Sequence, residues 1–166
     1  SITLPDNDVV PSGGGVSTAT VGTYDANYIM PFRSDFTDAK TQMLYTAAEL
    51  TAAGLGAGTI TQIGFEVVTK NSVGSYDNLT IKMKQTTTAN FNVSPALESG
   101  LTTVYTAATY YNQVGVNDFL LQTPFIWDGT SNILVEMCYD NDVTNPSAGG
   151  GADNVKTSVT GSTDNP

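Results

Sequence analysis

Hydrophobic and polar residues alternate with a period of two along much of this chain, and the alternation predicts strands. From Leu79 to Gln85, Leu79, Ile81 and Met83 share one face while Thr80, Lys82 and Lys84 share the other. Thr59 to Lys70 repeats the pattern, with Ile63, Phe65 and Val67 opposite Glu66. Successive side chains of an extended strand point to opposite sides, so a half-buried antiparallel strand reads this way. The run from Leu121 to Asp142 adds strand, tight turn, strand. Pro124 and Phe125 close its first segment, Asp128-Gly129 supplies a turn dipeptide, and Ile133, Val135, Met137 and Tyr139 alternate along the second.

Weaker segments fill in the rest. Residues 16–23, Gln42 to Tyr45, Leu101 to Thr106, Val114 to Gln122 and Val155 to Thr160 are further strand candidates. Thr46 to Ala53 is the one helical candidate, a turn or two ending before Gly54. Seven or eight strands separated by Gly-, Asn-, Asp- and Pro-rich turns predict an all-β fold, an antiparallel β-sandwich of jelly-roll type. Residues 1–15 stand apart: Ile2 and Leu4 alternate with polar residues, then Pro5, Pro11 and Gly13-Gly14-Gly15 follow. They read as an extended N-terminal arm on a linker, with the sandwich occupying residues 16–166.

Composition sharpens the class. Charged residues make up only 13 % of the 166 residues, against about 25 % in ordinary soluble domains. Thr, Ser, Asn and Gly carry the polarity instead, which favours a loop-rich β protein and fits a secreted or cell-surface location. The net charge of −10 opposes nucleic-acid binding, which needs a basic footprint, and opposes charge-driven adhesion to anionic lipid. No apolar run approaches the ~18 residues of a membrane-spanning helix. Cys138 is the single cysteine, so no disulfide forms within the chain. The chain has no histidine, which removes Ser-His-Asp and Cys-His chemistry and any His-ligated zinc site.

Four stretches together resemble a module of secreted and cell-surface proteins of Bacteroidota. They are Met43 to Leu50, Gly58 to Phe65, Tyr76 to Met83 and Thr123 to Glu136, in that order along the chain. Such proteins are exported by the type IX secretion system, often as adhesins, gliding-associated proteins or accessory parts of hydrolases. The resemblance implies a β-sandwich on the outer surface and carries no catalytic residues with it.

Several residue groups are candidate sites. Asp140, Asn141 and Asp142, joined by Asp128 or Asp25, offer oxygen ligands of the kind Ca²⁺ takes, although the spacing matches no EF-hand loop; otherwise the run is a solvated turn. Ca²⁺ is the only cofactor the sequence suggests. Trp127, with Tyr110 and Tyr111 beside it, is either an aromatic platform for a sugar ring or a plug over one end of the sandwich, sharing a face with Phe125. Glu66, Glu136 and Glu49 are too dispersed to specify a glycosidase pair, and the first two are expected to face outward. The arm residues Ile2, Leu4, Val9 and Val10 can add a strand to a neighbouring copy, and head-to-tail repetition of that contact builds a filament.

The expectation is therefore a non-enzymatic extracellular protein, an adhesin module or a self-assembling filament subunit whose partners are other copies of itself. The alternative is a carbohydrate-binding module, accessory to a secreted hydrolase, that recognises surface glycans.

Overall fold

A computed structural model of the chain describes residues 2–5, 16–23, 26–72, 74–91, 97–141 and 151–157. Among the described residues, ten strands and one short helix follow one another: β1 (Ile2–Pro5), β2 (Val16–Ala19), β3 (Ala26–Tyr28), β4 (Asp38–Tyr45), α1 (Ala47–Ala52), β5 (Gly58–Thr69), β6 (Tyr76–Thr86), β7 (Thr102–Tyr110), β8 (Gly115–Trp127), β9 (Asn132–Asp140) and β10 (Asn154–Thr157). All the pairings are antiparallel, and they form two sheets that pack into a sandwich.

Sheet B runs β4-β9-β6-β7. Its register sets Met43, Val135 and Met83 in one row, and Thr41, Met137 and Ile81 in the next. Sheet A is built around β5. β8 lies along one side of β5 over most of its length. β1 and β10 share the other side, β1 against Gln62 and Ile63, β10 against Val67 and Thr69. Outside them lie β2, paired with β1, and β3, paired with β10. The sheet is thus four positions wide, with two of those positions each filled by two short strands end to end.

The core lies where the alternation places it. Ile63, Phe65, Val67 and Phe119 from sheet A face Leu79, Ile81, Met83, Val135 and Met137 from sheet B, all buried. Aromatic rings fill one end: Phe32 meets Tyr76 at 5.3 Å and Phe65 at 6.3 Å, and Tyr110 meets Phe119 at 4.9 Å. Leu50 anchors α1 in this core. The helix is set by a capping box, in which Thr46 Oγ1 accepts from the Glu49 N–H and Glu49 Oε2 accepts from the Thr46 N–H. It ends at Gly54, whose φ of +90° suits glycine.

The strand expectations for 59–70, 79–85 and 132–139 match β5, β6 and β9 closely. Three features differ. β8 is one strand that runs through Pro124, where the sequence predicts two segments. Ile60 pairs with Phe125 and Gln62 with Leu120, so the strand bulges out between those pairs, and a bulge tolerates proline. β3 carries no apolar alternation and is not predicted. Ile2–Pro5, assigned to the arm, already forms a strand of the chain's own sheet, so the sheet reaches back beyond residue 16.

Candidate functional site

The sandwich has two ends. At one lie the last residues of β5, β7 and β9 and the first of β6 and β8; at the other lie Trp127, the start of β5 and α1.

The most unusual chemistry sits at the first end, where Asp153 is completely buried (0 % exposed) just before β10. Its Oδ1 accepts from the backbone N–H groups of Asn71 (2.6 Å) and Ser72 (2.7 Å). Its Oδ2 accepts from Ser72 Oγ (2.7 Å), Asn112 Nδ2 (2.5 Å) and the Tyr76 hydroxyl (3.1 Å). A buried carboxylate is costly unless donors surround it, and here they do. Burial alone would push this carboxyl up. The hydrogen bonds from Asn112, Ser72 and the backbone outweigh it and hold Asp153 below the usual carboxylate range. Burial, with the Asp153 charge beside it, pushes the Tyr76 phenol upward.

Lys70 completes the cluster, donating from Nζ to Ser72 Oγ (2.5 Å) and Asn112 Oδ1 (2.6 Å). Three chain segments that are remote in sequence, 70–72, 112 and 151–153, are thereby tied together. Asn71 Nδ2 donates to the Ala152 carbonyl, Ser34 Oγ to the Gly151 carbonyl (2.5 Å), and the Asp153 N–H to the Phe32 carbonyl. Nothing in the sequence joins these segments. Lys70 ends the predicted strand Thr59 to Lys70, and Asn112 and Asp153 fall between strand candidates.

Two of the predicted calcium ligands, Asn141 and Asp128, are engaged in hydrogen bonds within the chain. Asn141 is buried: its Oδ1 accepts from the Asp77 N–H and its Nδ2 donates to the Ser75 carbonyl. It clamps the start of β6 rather than facing solvent. Asp140 is exposed at this end of β9, while Asp128 lies beyond the other end, roughly 26 Å of extended strand away. Asp128 caps its own turn, accepting from the N–H groups of Thr130 and Ser131 and from Ser131 Oγ. These bonds, chiefly those from Ser131, lower its carboxyl to about 2. Asp142 and Asp25 lie outside the described residues. Among the described residues no group of three or more Cys, Asp or Glu side chains is placed to hold a metal.

The aromatic platform is likewise not assembled. Trp127 is 1 % exposed, with its indole N–H donating to the Ser131 carbonyl at 2.7 Å. It is a plug, and no ring face is open to stack on a sugar. Tyr110 and Tyr111 belong to the opposite end, separated from Trp127 by the length of β8, roughly 40 Å of extended chain. Tyr110 is half-buried over Phe32 and Phe119, its hydroxyl donating to Asn117 Oδ1, and only Tyr111 is exposed.

Glu136 is corrected from outward-facing to buried (4 % exposed). The segment before β7 folds back over the outer face of sheet B. Gln42 holds it through Glu98, donating to the Glu98 carbonyl and accepting from its N–H, and also donates to Glu136 Oε2 (2.8 Å). Lys82 pairs with Glu136 at 3.2 Å, and Lys84 with Glu98 at 2.6 Å. The unbroken apolar run Ile133-Leu134-Val135 is the sequence signal for a strand covered on both faces.

Among the described residues, the outer face of sheet A along β8 is open. Val116, Leu120 and Ile126 line it, the last two 68 % and 71 % exposed. Of the arm candidates, Ile2 and Leu4 lie in β1, while Val9 and Val10 are outside the described residues.

No protein family, no curated protein and no solved structure matches this chain.

Proposed function

We propose that the protein is a non-enzymatic binding and assembly module of a bacterial cell surface, an adhesin module or a filament subunit, whose partners are further copies of the same chain. The observation that carries this reading is the row Val116, Leu120 and Ile126 on the open face of sheet A. Large aliphatic side chains repeated along one strand face favour burial against another surface. β1 adds a second route to association. It is ladder-paired with β5 at Ile2 and Thr3, a short pairing, and the same position beside β5 can accept a strand from another copy. The low proportion of charged residues and the resemblance to Bacteroidota modules support a surface location and export by the type IX system. The carbohydrate-binding alternative loses its platform with the burial of Trp127.

The double substitution Leu120→Asp and Ile126→Asp tests the reading, because both positions are exposed and the core is untouched. Electron microscopy and light scattering of the variant are expected to show loss of self-association at an unchanged melting temperature. Association that survives the substitution would exclude this face.

A further inference from the structure

We propose that Lys70 and Asn112 condense into an intramolecular isopeptide bond, with Asp153 carrying the protons. The arrangement has the parts such a condensation needs. An amine lies against a carboxamide, Nζ to Oδ1 2.6 Å. The nitrogen that must leave, Asn112 Nδ2, lies 2.5 Å from a buried carboxylate. The Asn112 orientation is chemically forced, because an ammonium needs the amide oxygen and a carboxylate needs the amide N–H. With a C=O bond of ~1.2 Å beyond Oδ1, the Asn112 carbon lies roughly 3–4 Å from Lys70 Nζ, which overlaps the range of a near-attack geometry. Asn112, Ser72, Asp153 and Tyr76 are all buried, so water competes poorly for the acyl carbon.

Ser72 links the two ends of the proton path. Its Oγ accepts from Lys70 Nζ at 2.5 Å and donates to Asp153 Oδ2 at 2.7 Å. A proton passes from the Lys70 ammonium through this hydroxyl to Asp153, leaving a neutral amine and a neutral acid. The amine lone pair attacks Asn112 Cγ, and the Nζ–Cγ bond forms as the carbonyl π pair moves onto Oδ1. Ser72 Oγ, 3.3 Å from Oδ1, is placed to donate to that oxyanion. Asp153 gives its proton to Nδ2, the Cγ–Nδ2 bond breaks, and ammonia departs. The surplus proton on Nζ returns to Asp153 and then goes to the ammonia. The sum is one lysine ammonium and one carboxamide converted to one secondary amide and one ammonium ion, with no oxidant or reductant. The donors around Asp153 favour its ionised form, so the first transfer is uphill and the reaction slow, which a single-turnover event tolerates.

The bond would tie the end of β5 in sheet A to the segment after β7 in sheet B, a covalent staple between sheets in a chain with one cysteine. The test is the intact mass of the full chain after prolonged incubation, followed by peptide sequencing. The expected result is a mass lower by one ammonia together with a branched peptide linking Lys70 to Asn112. Lys70→Arg, which keeps the charge and cannot form this bond under these conditions, is expected to retain the ammonia and to melt at a lower temperature. An unchanged mass in the wild-type chain would overturn the proposal. So would loss of ammonia without the branched peptide, which is ring closure of an asparagine onto its own backbone.

Discussion

The side-chain amide of Gln122 pairs with the backbone of Thr106 as a strand would. Gln122 Nε2 donates to the Thr106 carbonyl at 2.8 Å, and the Thr106 N–H donates to Gln122 Oε1 at 3.2 Å. Thr106 lies on β7, the edge of sheet B, and Gln122 lies where β8 bulges away from β5. One side chain thus closes part of the gap between the two sheets and covers backbone groups that an unprotected edge would offer to another chain. Gln122→Ala is expected to lower stability by about 1 kcal/mol and to speed exchange of the Thr106 amide hydrogen. Hydrogen exchange followed by NMR measures both, and an unchanged Thr106 amide would contradict the role.

Asp153→Ala removes the acceptor on which the Asn71 and Ser72 N–H groups, Ser72 Oγ, Asn112 and Tyr76 converge. Several buried donors then lose their partner together, at a cost of about 3 kcal/mol or more. Urea denaturation of the variant is the check, and a loss below about 1 kcal/mol would mean the cluster re-satisfies itself through water.

The cluster also shows what the sequence left illegible. The central strands are plain in it, because period-two alternation is a local property: Leu79, Ile81 and Met83 fall on the core face without reference to the rest of the chain. Long-range polar contacts have no such period. Lys70 ends a predicted strand, Asn112 and Asp153 sit among ordinary turn residues, and only the topology brings the three together. The same limit misplaces Glu136. Its alternation is outward, but a segment some forty residues earlier in the chain covers that face through Gln42 and Glu98. Trp127 and Tyr110 share an aromatic chemistry, whereas the direction of β8 puts them at opposite ends.

Acid is expected to destabilise the fold. Asp128 and Asp153 both have lower pKa values in the folded chain, against about 4 when unfolded. A depressed carboxyl contributes stability that is fully present above the unfolded pKa and is lost as pH falls through the folded one. Urea midpoints are therefore expected to hold down to about pH 5 and to decline toward about pH 2. A carboxyl titration followed by NMR should place Asp128 near 2, and a value near 4 would show that the Ser131 and Thr130 bonds do not persist in solution.

Trp127 is expected to report folding and not ligand binding. Its emission should be blue-shifted and poorly quenched by acrylamide in the native state, shifting red on unfolding. Trp127→Ala should cost about 3–5 kcal/mol as a buried aromatic truncation. Quenching as easy as that of free tryptophan would contradict the plug.

Self-association through the open face of sheet A is the centre of the functional reading, and sedimentation velocity of the intact chain over a wide concentration series tests it most directly. The account predicts a sedimentation coefficient that rises with concentration and returns to the monomer value on introduction of Leu120→Asp with Ile126→Asp. A single monomer boundary at every concentration would contradict it.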